Sequence, residues 1–215
     1  MKRTILTISI IIGMAASAVA QTTQGNAETP TPGKDILTKL KSSGKPESAG
    51  LRIGATGLDI SYIHSLDFTQ FLQAEIGIDF GYNVSGTPGF KVTGLYNYTW
   101  ARPAWTDTGS WKLYAGGGLS LGYVEDAVPY SIADTPITGI YDSGFMLAVA
   151  LQVGISYTFD FPLQLALDMR PLFGIHCNDG KVRIGDIEYD YGGKTGFYDN
   201  GLMGFIPTVS ARYMF

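Results

Sequence analysis

Charge is scarce in this chain. Asp, Glu, Lys and Arg make up 16% of the residues, too few for a charged helical bundle or a coiled coil. The formal net charge of −4 leaves no basic surplus for nucleic acid. A single cysteine, Cys177, excludes an intrachain disulfide and a Cys-rich zinc site. There are two histidines and no H-E-x-x-H, so zinc hydrolysis has little support. Beyond the first 20 residues no apolar run approaches the ~18 residues of a membrane-spanning helix. What is plentiful is glycine, 28 residues where ~7% usage would give about 15, together with 13% aromatic and 45% hydrophobic residues. That apolar share disfavours intrinsic disorder, and 215 residues fit one domain of the β-barrel kind or two small ones.

Residues 1–20 read MKRTILTISIIIGMAASAVA: Lys2 and Arg3, an apolar stretch from Ile5, and an Ala18-Val19-Ala20 ending. This is the pattern of a secretory signal peptide. Thr7, Ser9, Gly13 and Ser17 interrupt the stretch, which argues against an anchoring helix. Gln21, not Cys, directly follows the cleavage position, which argues against a lipid-anchored lipoprotein. Cleavage leaves 13 basic against 19 acidic residues, a net −6. Residues 21–48 are polar, hold three Pro, and read as a flexible segment on the far side of the translocated membrane.

From Ala49 onward the hydrophobic period is two. Leu72, Ala74, Ile76, Ile78, Phe80 and Tyr82 share one face, and Gln73, Glu75, Gly77, Asp79 and Gly81 the other. In 145–159, Phe145, Leu147, Val149, Leu151, Val153, Ile155, Tyr157 and Phe159 form an unbroken apolar face. A helix would scatter these residues round its circumference, so they are strands. Eight are predicted: 49–55, 57–64, 70–83, 89–101, 110–125, 143–159, 162–173 and 203–215. The first two could equally be one long strand across 54–57. Short turns at 65–69 and 160–162 alternate with long connections at 126–142 and 174–202, as in a transmembrane barrel.

Alternation does not say which face is inside. Strands of 12–15 residues exceed the usual ~5–6 and are long enough to cross a bilayer even when tilted. The less apolar face carries Glu75, Asp79, Lys91, Lys112, Asp168, Arg170 and Arg212, poor lining for an apolar pocket but good filling for a polar barrel interior. Trp100, Trp105 and Trp111 fall at one end, level with Phe159, Phe161, Tyr213 and Phe215, the make-up of an interfacial girdle. The expectation is an all-β, closed, antiparallel up-and-down transmembrane barrel over 49–215.

The stretch 49–215 resembles the small eight-stranded outer-membrane β-barrel, porin-like proteins common in Bacteroidetes-type bacteria. The likeness rests on Gly50-Leu51-Arg52-Ile53-Gly54, on Ile60-Ser61-Tyr62-Ile63-His64, on the segment from Phe161-Pro162 to Arg170-Pro171, and on the closing Arg212-Tyr213-Met214-Phe215. The resemblance implies an outer-membrane location, with outer-membrane lipid around the barrel and the N-terminal segment and C-terminus in the periplasm. It also implies that Tyr213 and Phe215 belong to the signal read by the barrel-assembly machinery. The long 174–202 connection departs from the family, and the family supplies no agreed activity.

Chemical motifs are thin. Gly118-Leu119-Ser120-Leu121-Gly122 matches G-x-S-x-G, but a nucleophile elbow needs a strand-to-helix turn and this match is mid-strand. His64 falls at a strand end, and His176 with Cys177 falls in the 174–202 connection, read as an exposed and inert pair. Asp179, Asp186, Glu188 and Asp190 follow no EF-hand spacing and read as a solvated acidic loop. Asn83-Val84-Ser85 and Asn97-Tyr98-Thr99 fit the glycosylation pattern by coincidence. Glu75, Asp79, Lys112, Asp168, Arg170 and Arg212 are expected to form an interior charge network that plugs the barrel, since buried charges persist only when paired. No catalytic residue, cofactor or metal site is expected. The predicted role is non-enzymatic: long connections bearing Tyr130, Tyr141, Tyr189, Tyr191, Phe197 and Tyr198 meet an extracellular ligand or host surface, or serve an envelope-structural role. A narrow pore is the alternative.

Overall fold

The computed structural model describes residues 47–80, 88–127, 130–132, 135–137, 141–178, 180–184, 187–190 and 192–215. The expected signal peptide, the N-terminal segment up to residue 46, Asn83, Asp179, Asp186 and Tyr191 lie outside the described residues. The strands are β1 (Glu47–Gly54), β2 (Gly57–Ser65), β3 (Gln70–Asp79), β4 (Gly89–Ala101), β5 (Ser110–Ala127), β6 (Tyr130–Ile132) and β7 (Thr135–Ile137). They continue with β8 (Tyr141–Thr158), β9 (Leu163–Met169), β10 (Leu172–Asn178), β11 (Lys181–Ile184), β12 (Ile187–Asp190), β13 (Thr195–Asp199) and β14 (Thr208–Met214). A 3-10 turn, Gly201–Phe205, lies between the last two.

β1 to β5, then β8, β9 and β14, pair antiparallel in that order, and β14 pairs back to β1. These eight strands form a closed up-and-down barrel. The seam joins the two ends of the described chain. Glu47 N donates to Phe215 O at 3.2 Å, and Phe215 N to Glu47 O at 2.9 Å. One circuit through paired residues runs from Ile155 to Leu167, Val209, Ile53, Leu58, Ile78, Phe90, Tyr123 and back to β8 at Phe145, ten residues from its start. With a rise of ~3.3 Å per residue and strands ~4.8 Å apart, that stagger tilts the strands by roughly 40° and leaves an interior just wide enough for side chains. Glycine makes the crowding tolerable: a Cβ on Gly118, facing inward on β5, would run into the β4 backbone at Gly94 and Leu95.

Wall height is uneven. β1 and β14 have 8 and 7 residues, β5 and β8 have 18 each. At the same tilt the wall rises ~20 Å at β1 and ~45 Å at β5. The upper part of β8, Gly144 to Ala150, pairs not with β9 but with β10, and β10 pairs in turn with β13. The predicted single strand 162–173 is therefore two, split at Arg170-Pro171, because Pro171 has no N–H to give to a ladder. Asn200 fills the step: its Oδ1 accepts from Leu172 N at 2.8 Å and its Nδ2 donates to Arg170 O at 2.9 Å. The predicted strand 203–215 likewise starts only at Thr208, after the 3-10 turn and Pro207. The 126–142 and 174–202 connections hold the hairpins β6–β7 and β11–β12, and the second also holds the end of β10 and all of β13.

Burial alternates along the closed wall. Asp59 and Ser61 are 2% and 0% exposed while Ile60 between them is 66% exposed. The side turned away from the interior is a belt of Leu, Ile, Val, Phe and Tyr. Apolar burial is instead concentrated in the tall extension, where Val124, Met146, Ala148, Ala150, Leu172 and Tyr198 cluster with Leu95 of β4.

Candidate functional site

The densest chemistry lies in the barrel interior. Arg52, from β1, donates from Nη1 to Asp59 Oδ2 and from Nη2 to Asp168 Oδ1, both at 3.0 Å, and to Thr208 Oγ1 at 2.5 Å. Arg170 pairs through Nη1 with Glu75 Oε2, and its Nη2 lies 3.8 Å from Asp168 Oδ1. Gln73 Nε2 donates to Glu75 Oε1 at 2.6 Å, and Tyr114 Oη donates to Asp168 Oδ2 at 3.5 Å. Five charged side chains, from β1, β2, β3, β9 and the step after β9, thus meet, each no more than 6% exposed. Period two puts them inward, and the stagger brings Arg52 level with Asp168, 116 residues away. A second pair sits nearer the long-connection end: Lys91 Nζ donates to Asp79 Oδ2 at 2.6 Å.

Of the six network residues predicted, Glu75, Asp168 and Arg170 come together. Asp79 belongs to the Lys91 pair instead. Lys112 and Arg212 are inward but stand apart at the short-turn end, where Arg212 Nε and Nη2 donate to Ser61 Oγ and Ser210 Oγ, each at 3.2 Å. Arg52 and Asp59 are central to the network and were not foreseen. Their positions carry the signal: Arg52 is in phase with Gly50 and Gly54, and Asp59 with Ser61, on strands too short for alternation to stand out.

Trp105, Trp111, Tyr157, Phe159 and Phe161 form a chain of rings at the short-turn end, with successive centroids 5.4, 4.8, 4.7 and 5.0 Å apart. Trp100 is half-buried at the end of β4, and Tyr213 and Phe215 stand 60% and 65% exposed on the outer face beside the seam. His64 Nδ1 lies 2.9 Å from Glu47 Oε1. His176 was expected on an exposed loop. It belongs to β10, points inward, is 3% exposed, and its Nε2 lies 3.0 Å from Val124 O. Cys177, one residue on, faces the other way and is half-buried. Ser120 of the G-x-S-x-G match lies mid-strand, fully buried, with its Oγ 2.8 Å from Thr93 Oγ1.

A closed eight-stranded antiparallel barrel with ion pairs inside and aliphatic side chains outside defines the class of this protein. Against family models, curated proteins and solved structures, the chain matches none.

Proposed function

We propose that the chain is a non-enzymatic integral outer-membrane β-barrel protein of the small eight-stranded Bacteroidetes type, its interior filled by side chains and its long connections making its contacts. The inversion of polarity carries this reading. Ile60 and Ile76 are 66% and 63% exposed on the outside, whereas Asp59 and Glu75 beside them are each 2% exposed within. A continuous apolar belt of this kind is costly in water and suited to lipid. The wall, ~20 Å at its lowest and ~45 Å at its tallest, brackets the ~25 Å apolar band of outer-membrane barrels. The ring chain at the short-turn end suits an interfacial girdle. In that setting the N-terminal segment and the C-terminus stand in the periplasm, and Tyr213 and Phe215 serve recognition by the barrel-assembly machinery. The connections 126–142 and 174–202 reach the outside, towards an extracellular ligand or host surface, or in an envelope-structural role. Five paired charges across the interior favour a plug over a narrow pore for ions or small solutes.

The test is to produce the full chain in a Gram-negative host and fractionate the cells. Recovery in the outer-membrane fraction, with a gel mobility that changes on boiling and cleavage within 180–198 by protease added to intact cells, is the expected result. Recovery in the soluble periplasm would overturn the reading. Ohmic current through the refolded protein in a planar bilayer would replace the plug by the pore.

A further inference from the structure

Every cation of the mid-barrel has a carboxylate: Arg52 has Asp59 and Asp168, Lys91 has Asp79, and Arg170 has Glu75. The short-turn end differs. Lys112 and Arg212 line one small cavity there, and neither makes an ion pair among the described residues. Ser48, Ser65, Tyr114 and Ser156 share the lining, and no Asp or Glu does. Arg212 is 1% exposed, and its hydrogen bonds go to the neutral hydroxyls of Ser61 and Ser210. At the same end Arg102 adds a positive charge that acts on Lys112, and its Nε and Nη1 are buried without a hydrogen-bond partner. Cationic groups removed from water are stable when an anion accepts their hydrogen bonds, and among the described residues no carboxylate lines this cavity.

We propose that this cavity is an oxyanion site, taking a carboxylate or phosphate group from the short-turn end between Lys112 and Arg212. The Ser48, Ser65 and Ser156 hydroxyls complete such a site as neutral donors, and the guanidinium presents the fork that matches a planar or tetrahedral oxyanion. Nothing in the geometry depends on the medium around the outer wall.

The mature chain, refolded in a non-ionic detergent and buffered with Tris, is unfolded thermally in rising inorganic phosphate and, separately, acetate, with chloride holding ionic strength constant. A saturable rise in midpoint with either anion supports the site, and at a hundred times the Kd it amounts to roughly 5–10 °C. The rise is lost in Lys112→Met and kept in Lys194→Gln, which removes one charge from an exposed residue at the other end. Where Lys112→Met does not refold, Lys112→Gln takes its place. No rise above chloride in the unsubstituted protein, or an undiminished rise in the Lys112 variant, overturns the proposal.

Discussion

On either side of the step at Arg170-Pro171 the same chain solves the problem of its interior in two ways. Below it the sheet closes and the enclosed volume is filled by ions and amides: Arg52, Asp59, Gln73, Glu75, Asp168 and Arg170. Above it β10 and β13 continue from β8 as an extension of the sheet, and the protected surface is mainly carbon, Val124, Met146, Ala148, Leu172 and Tyr198, with Asp142 and His176 also buried there. A closed wall with an apolar outer face has no further need of apolar burial, so its interior is free to be polar where its charges find hydrogen-bond partners. The extension has no circuit of hydrogen bonds to close and must be held by packing. Ionic interiors are unforgiving of a lost partner, whereas apolar ones lose stability in proportion to the atoms removed.

The largest expected effect falls on the ionic half. Arg170→Met strands Glu75 without its cation and weakens the surroundings of Asp168, at a cost of ~3–5 kcal/mol in denaturant unfolding from micelles. Adding Glu75→Met to that variant should restore most of the loss, because two apolar groups tolerate burial where one carboxylate does not. If the single and double variants are equally unstable, the pairing is not what holds the lower barrel. Next, Met146→Ala in the extension should cost ~2–3 kcal/mol, and hydrogen exchange should quicken in β10 and β13 while the seam between β1 and β14 stays protected. Uniform loosening of both regions would erase the distinction between them. Asn200→Ala, at the step itself, orphans Leu172 N–H and Arg170 C=O and should cost ~1–3 kcal/mol, freeing the 3-10 turn first in limited proteolysis. Smallest of all, Glu47→Gln removes the charge from the part-buried contact to His64, keeps an acceptor oxygen, and should leave the unfolding midpoint unchanged within error.

The closed lower barrel was legible in the chain because its physics is local. Phe145 to Phe159 alternate without a fault, and β4 has the predicted 89–101 bounds. The step was missed, although Pro171 and Pro207 inside predicted strands were a warning, since proline is poorly placed in a paired strand. Arg52 with Asp168 was beyond reach for another reason. Which inward residues meet depends on the stagger of the whole circuit, and no stretch of sequence records that number. Parity is written residue by residue, whereas height round the barrel is a property of closure. The cavity at Lys112 and Arg212 follows the same rule: both were expected inside, and only the stagger separates them from the carboxylates.

The seam has a kinetic meaning. Glu47 and Phe215 hold hands through two main-chain hydrogen bonds across the full span of the described residues. A contact of such sequence separation pays its loop entropy only once everything between it is ordered. Until the last strand arrives, the sheet is a curved ribbon with two raw edges, β1 and the newest strand, each able to recruit a neighbour's strand instead of its own partner. Folding of this protein is therefore a race between one intramolecular latch and many intermolecular ones, decided at the final few residues.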